Sequence, residues 1–148
     1  MADVFVRAAR LLGLPRSLGE IFGLLYVSPE PLTMEQIRSR LHISLGSASQ
    51  GLRQLRAFRA VKVQYVPGDR KDHFVAEPSF RHIVSGFIRE EIRPHLDSGH
   101  ARLTIMRNLL AGLPEEEREF LDKKVEQLEN LHKTGDRLLP LLVGLIRI

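Results

Sequence analysis

The chain has 148 residues, a formal net charge of +4 and no cysteine. Disulfides, thiol catalysis and Cys-ligated zinc are therefore excluded, and the composition fits a reducing compartment. An excess of 22 Lys and Arg over 18 Asp and Glu favours an anionic partner, and the length suffices for a real core with room for two small subdomains. Asp3, Arg7 and Arg10 interrupt the first apolar positions, so no signal peptide is expected. The expected location is the cytoplasm, with no membrane partner.

From Ala2 to Leu12, Val4, Ala8, Leu11 and Leu12 share one side of a short amphipathic helix that ends near Gly13. A helix this short needs a surface to pack on. Pro15 suits a first helical turn, and Leu18, Ile21, Phe22, Leu25 and Tyr26 make a core helix over 16–27. Pro29 and Pro31 stop it, because each disfavours helix at the residue before it.

Thr33 is placed as an N-cap, and Gln36 three residues on completes a capping box. Met34, Ile37 and Leu41 then fall on one face. His42 and Ile43 break that pattern, with His42 a capping or packing residue, and Ser44 is placed to cap a second helix. In it Leu45, Ala48, Leu52 and Leu55 recur as one apolar stripe. Gly46, Ser47, Gln50, Arg53 and Gln54 lie opposite. A face of small polar, Gln and Arg residues can enter a major groove and hydrogen-bond base edges.

After Phe58 the period becomes alternating. Val61, Val63 and Tyr65 share one strand face, with Lys62 and Gln64 on the other. The segment 67–72 is a turn, and 73–77 returns as a second strand. The hairpin tip carries Arg70 and Lys71. A tip Arg suits a narrow A·T minor groove, whereas the flanking Asp69 and Asp72 also allow a neutral solvent turn. No acidic residue stands between Glu35 and Asp69, while Arg38, Arg40, Arg53, Arg56, Arg59 and Lys62 are basic. Such a cleared surface is what phosphate binding requires; the plainer reading is a set of solvated helix faces.

SPEPLTMEQIRSRLHISLGSASQGLRQL followed by VPGDRKDHF resembles the winged-helix regulators of the GbsR/MarR type, over roughly Leu18 to Phe80. The resemblance implies a dimeric transcriptional repressor that binds DNA through helix 44–58 and wing 68–71. Two residues depart from it. Leu45 stands where the family often has Lys, removing one phosphate contact, and Arg59-Ala60 stands where a Gly usually ends the recognition helix. A non-Gly residue there either bears the left-handed penalty or ends the helix differently.

In the last third, Phe80, Ile83, Val84, Phe87, Ile88 and Ile92 repeat at helical spacing until Pro94 kinks or ends the helix. Leu96, Leu103, Met106, Leu109, Leu110 and Leu113 continue a similar stripe. Pro114 with Glu115, Glu116 and Glu117 opens another helix, its acids near the positive end of the macrodipole. Phe120, Leu121, Val125, Leu128 and Leu131 are its expected core face, and Glu119 with Lys123 an i,i+4 pair. Residues 137–148 are apolar nearly all round, too short to span a bilayer, and interrupted by Pro140 and Gly144. Such a segment must be buried, and a second copy of the chain is the simplest cover.

The expected fold is mainly α: a winged helix-turn-helix with a two-stranded β wing plus N- and C-terminal dimerisation helices. It divides into an N-terminal dimerisation helix over 1–14, a DNA-binding domain over 15–80 and a helical dimerisation region over 81–148. The expected function is a homodimeric, sequence-specific regulator of transcription on double-stranded DNA, a repressor reading an inverted repeat. Its DNA-binding residues are Ser44, Gly46, Ser47, Ser49, Gln50, Arg53, Gln54, Arg56, Arg70 and Lys71. The alternative is a winged-helix module for protein association or non-specific nucleic-acid binding. A small-molecule effector is a further candidate partner, in a pocket around Phe22, Tyr26, Phe87 and Met106, residues that equally read as plain core. No nucleophile motif or Gly-rich phosphate loop occurs, and the six histidines include no zinc-protease or finger spacing. Enzyme activity, a cofactor and a metal are not expected.

Overall fold

The helices and strands of the computed structural model, which describes residues 2–145, fall into two units that divide between Phe87 and Ile88. The first contains α1 (Ala2–Leu11), α2 (Arg16–Val27), β1 (Leu32–Thr33), α3 (Met34–Leu41), α4 (Leu45–Ala57), β2 (Val61–Gln64), β3 (His73–Ala76) and α5 (Phe80–Phe87). Its core joins Leu18, Ile21, Phe22 and Leu25 of α2 to Ile37 of α3, Leu52 and Leu55 of α4, and Phe58, Val61 and Phe74. Two expected core residues lie elsewhere. Leu45 is 52% exposed, because the first turn of α4 extends past the packed core. Tyr26 is also exposed at its rim, although its ring meets Phe5, Phe22 and Phe80.

The sheet is antiparallel in the order β1-β3-β2. The two expected strands pair from Val61↔Ala76 to Gln64↔His73, and the two-residue β1 adds a third on the far side of β3. Of the alternating face, only Val61 is buried; Val63 and Tyr65 are exposed.

On α1 the inward face is not the expected one. Ala9 is buried, Phe5 packs edge-on to Phe22 at 4.9 Å, and Val4, Leu11 and Leu12 point to solvent. Gly19 decides this, because a Cβ there would stand 2.6 Å from the Phe5 carbonyl oxygen and the Val6 Cα. The two helix backbones touch at that crossing.

Both helix-turn-helix helices end on a left-handed residue that is not glycine, His42 at φ 53° and Arg59 at φ 59°. At the end of α4, the Ala60 N–H donates to the Leu55 carbonyl at 2.8 Å and the Arg59 N–H to Arg56 at 2.9 Å. These are the two bonds of a Schellman motif, so Arg59 keeps the usual helix stop and bears a left-handed cost of about 1–2 kcal/mol. Gly86 of α5 lies directly on this stop: a Cβ would be 2.0 Å from the Phe58 carbonyl oxygen.

The second unit holds a π-helical turn (Ile88–Ile92), α6 (Arg93–Leu110) and α7 (Glu115–Leu145). Pro94, expected to kink or end the helix, does not end it: it stands in the first turn of α6, directly after a π turn that interrupts the α-helical pattern. The two long helices run antiparallel. Arg107 donates twice to Glu129, at 3.0 Å each, and His100 meets Asp136 at 2.8 Å. Between them only Leu103, Leu110 and Val125 are buried. Phe120, Leu121, Leu128, Leu131, Met106 and Leu109, all expected as core, are exposed. Two helices cover only the narrow stripe along which they touch. The apolar end of the chain is likewise open through Leu138, Leu141, Leu142 and Leu145, and residues 146–148 of that expected segment lie outside the described residues.

Candidate nucleic-acid interface

Local capping fixes both helices of the turn. The Thr33 hydroxyl accepts from the Gln36 N–H at 3.3 Å while the Gln36 side chain accepts from the Thr33 N–H at 2.8 Å. The Ser44 hydroxyl accepts from the Ser47 N–H at 3.1 Å and donates to the Ser47 hydroxyl at 3.0 Å. Gly51 lets α4 lie close on α2, its Cα facing Ile21. The opposite side of α4 therefore points outward. Ser44, Gly46, Ser47, Ser49, Gln50, Arg53 and Arg56 are exposed there, and Gln54 is half-buried.

The sequence-selected residues divide into two groups. Ser49, Arg53 and Arg56 of α4 and Arg70, Lys71 and Asp72 of the wing loop line one open groove, with Leu52 and Phe74 beneath. Ser44, the N-cap of α4, and Gly46, Ser47, Gln50 and Gln54 within it do not line the groove. Glu35, from the start of α3, also faces the groove, which no local pattern around it revealed.

Pairing thins the basic set read from the sequence. Arg38 lies 3.5 Å from Glu35, and Lys62 pairs with Glu77 across the sheet. Among the described residues, Arg53, Arg56, Arg70 and Lys71 have no carboxylate within ion-pair distance. Of the two wing aspartates, Asp72 lines the same groove without pairing with these cations, and Asp69 is turned back into its own loop. Asp69 Oδ1 accepts the Lys71 backbone N–H at 3.0 Å, and Oδ2 faces His73 Nε2 at 3.5 Å.

Glu77 escaped the sequence reading altogether. It is buried, accepts the Ser79 N–H at 3.0 Å, pairs with Lys62 and lies 3.5 Å from His82 Nδ1. Burial alone would raise its pKa. The Lys62 hydrogen bond, the Ser79 amide and the nearby positive charges together outweigh that and hold the carboxyl below its ordinary range. Its role is to fasten β2 to the loop that leads into α5.

Among the described residues no group of three or more His, Asp or Glu side chains is placed to hold a metal, and no helix is long and apolar enough to cross a membrane.

No family model matches the chain. Over 85 residues it is 33% identical to the HTH-type transcriptional repressor GbsR of Bacillus subtilis (strain 168), a stretch covering 57% of this chain and 47% of that one. The chain thus spans about half the length of that curated relative. It is similar in fold to a crystal structure of a transcriptional regulator at a TM-score of 0.68, with 22% identity and coverage of 97% of this chain and 92% of the other. A looser likeness, at a TM-score of 0.43 and 19% identity, is to a crystal structure of MarR, covering 86% of this chain and 85% of that one. The sequence match is thus to part of GbsR, and the architecture is the winged helix-turn-helix, mainly helical with a small antiparallel wing flanked in sequence by N- and C-terminal helices.

Proposed function

We propose that this homologue of the GbsR/MarR winged helix-turn-helix regulators is a dimeric, sequence-specific DNA-binding repressor of transcription. α4 enters the major groove, where Ser47, Gln50, Arg53 and Gln54 meet base edges and Gly46 keeps the first turn slim. Ser44, Ser49, Arg56 and the helix N-termini hold phosphates, and the wing sets Arg70 at the minor groove and Lys71 on the backbone. The observation that carries this reading is the groove itself. Arg53, Arg56, Arg70 and Lys71 converge on it from two elements without carboxylate partners, while Arg38 and Lys62, outside it, are paired.

Dimerisation is the second part of the proposal. Segments 1–14 and 81–148 flank the DNA-binding stretch 15–80 and cover their apolar faces against a second copy. Val4 and Leu11 on α1, Met106 and Leu109 on α6, and Leu128 and Leu131 on α7 are the exposed residues that such an interface takes up. Two α4 helices roughly 34 Å apart then match half-sites one helical turn apart.

The test is selection of bound duplexes from a random pool, followed by titration of the winner against scrambled DNA. The expected result is an enriched inverted repeat bound at least ~10³-fold more tightly than the scramble. Enrichment of nothing, with binding that vanishes at physiological salt, would replace this proposal by a module for protein contacts or general nucleic-acid affinity.

A further inference from the structure

The wing tip is fastened by one buried imidazole. His73 opens β3, paired with Thr33 of β1 on one side and Gln64 of β2 on the other, and is only 8% exposed. Its Nδ1 lies 3.0 Å from the Lys71 carbonyl oxygen, and its Nε2 faces Asp69 Oδ2 at 3.5 Å. Asp69 Oδ1 in turn accepts the Lys71 N–H at 3.0 Å. Asp69, Lys71 and His73 therefore form one polar cluster, linked through the Lys71 backbone, and the exposed Arg70 is the residue it carries outward to the groove.

We propose that His73 is a positioning residue for DNA binding, acting through the wing tip to aim Arg70 and Lys71 at the groove. This rests on the reading of that groove as a DNA interface. The loop between β2 and β3 spans residues 65–72, and an unfastened loop of that length must be ordered when it binds. A clamp that orders it beforehand removes that cost from association. His73 supplies the clamp because it belongs to the sheet, its Nδ1 reaches the Lys71 carbonyl and its ring stands against the Asp69 carboxylate. The flanking Lys71 carbonyl fixes where the chain turns, and the Asp69 carboxylate fixes the face that Arg70 presents.

The experiment uses the full chain and the duplex enriched in the selection. His73→Phe keeps ring volume and removes both nitrogens; Asp69→Ala, on the loop, removes the acceptor of the Lys71 N–H and the group that faces Nε2. His73→Phe should weaken binding roughly tenfold, comparable to losing one groove contact. In an Arg70→Ala, Lys71→Ala background that loss should shrink to less than about twofold, since the clamp then has nothing to aim. Equal losses in both backgrounds would make His73 a merely structural residue and overturn the proposal. Asp69→Ala sharpens the test by its sign. Removing a negative charge from the wing predicts tighter binding from electrostatics alone, whereas the clamp predicts weaker binding, by roughly threefold. Tighter binding overturns the clamp.

Amide exchange of Lys71 in the free protein reads the clamp without DNA. Faster exchange in His73→Phe supports it, and unchanged protection refutes it. A bound duplex with additive losses removes the clamp and leaves the regulator. No enriched duplex, with Lys71 protection still dependent on His73, removes the regulator and leaves the clamp as a property of the loop.

Discussion

Replacing Gly86 by Ala should unseat α5 from the end of α4. A Cβ at this position would stand 2.0 Å from the Phe58 carbonyl oxygen, 2.5 Å from its carbonyl carbon and 3.3 Å from the Arg59 Cβ. Ordinary contact begins near 3.4 Å, so α5 or the helix stop must move by about 1.4 Å, the gap between 2.0 and 3.4 Å. The carbonyl cannot turn aside, because the next two amides are tied back to Arg56 and Leu55 by the Schellman bonds. Overpacking against fixed backbone sits at the upper end of the usual range, about 3 kcal/mol. Ala is otherwise the better helix former by roughly 1 kcal/mol, which offsets part of it. The net loss of about 2 kcal/mol should lower the melting temperature by roughly 8–16 °C for a unit of this size. Gly51→Ala is the internal control. Its Cβ would stand 2.5 Å from Ile21 Cδ1, a smaller overlap and with the end of a side chain, which need shift by less than a backbone carbonyl and helix stop would have to. Melting followed by circular dichroism should therefore separate the two variants clearly. Equal midpoints would refute the claim that the Gly86 contact is backbone-limited.

The remaining expectations concern binding and pH. Arg53→Ala should cost about 1–3 kcal/mol on the selected duplex and relax preference at one base pair; uniform weakening across all sequences would reassign Arg53 to a phosphate. Lys71→Ala should lower affinity evenly and make the salt slope shallower by about one, and an unchanged slope removes it from the interface. Glu77→Gln should destabilise by about 1–3 kcal/mol at neutral pH, as expected for losing hydrogen bonds to a buried charge. Because its pKa is lowered in the folded chain, Glu77 contributes fully above its unfolded value near 4.5 and loses that contribution as pH falls through the folded value. The stability gap to Glu77→Gln, read from urea midpoints, should therefore close in acid; a gap independent of pH would show that the carboxylate charge is not what matters.

What the sequence made legible was local. The Thr33 and Gln36 capping box, the Ser44 cap and the β2–β3 hairpin are all set by residues within a few positions of one another, and each is present with the expected partners. Faces were harder wherever a helix has two apolar sides. On α1, Val4, Ala8 and Leu11 and the rival set Phe5, Val6 and Ala9 both satisfy helical spacing, and the choice was made by Gly19, on another helix. The stripes of α6 and α7 ran into a different limit. Periodicity marks what a helix wants to bury, while only Leu103, Leu110 and Val125 find cover within the second unit. At two residues, β1 carries no pattern at all and exists through its pairing with β3.

Charge shows the same division between local and distant causes, and it bears directly on function. Counted along the chain, the stretch between Glu35 and Asp69 held six cations and no acid. Folding returns carboxylates to two of them: Glu35, at the edge of the stretch, reaches Arg38, and Glu77, beyond it, reaches Lys62 through the sheet. It also adds two cations that the count had left outside, since the loop brings Arg70 and Lys71 to the groove that Arg53 and Arg56 line. The same folding sets Asp72 and Glu35 at that groove, so its field is weaker than four cations alone would give, while Asp69 accepts the Lys71 amide outside it. A phosphate approaching this groove therefore meets a field set by which carboxylates and cations folding brings together, and a surface built only on the number of basic residues along the chain would have counted Lys62, which Glu77 holds, and missed Arg70 and Lys71.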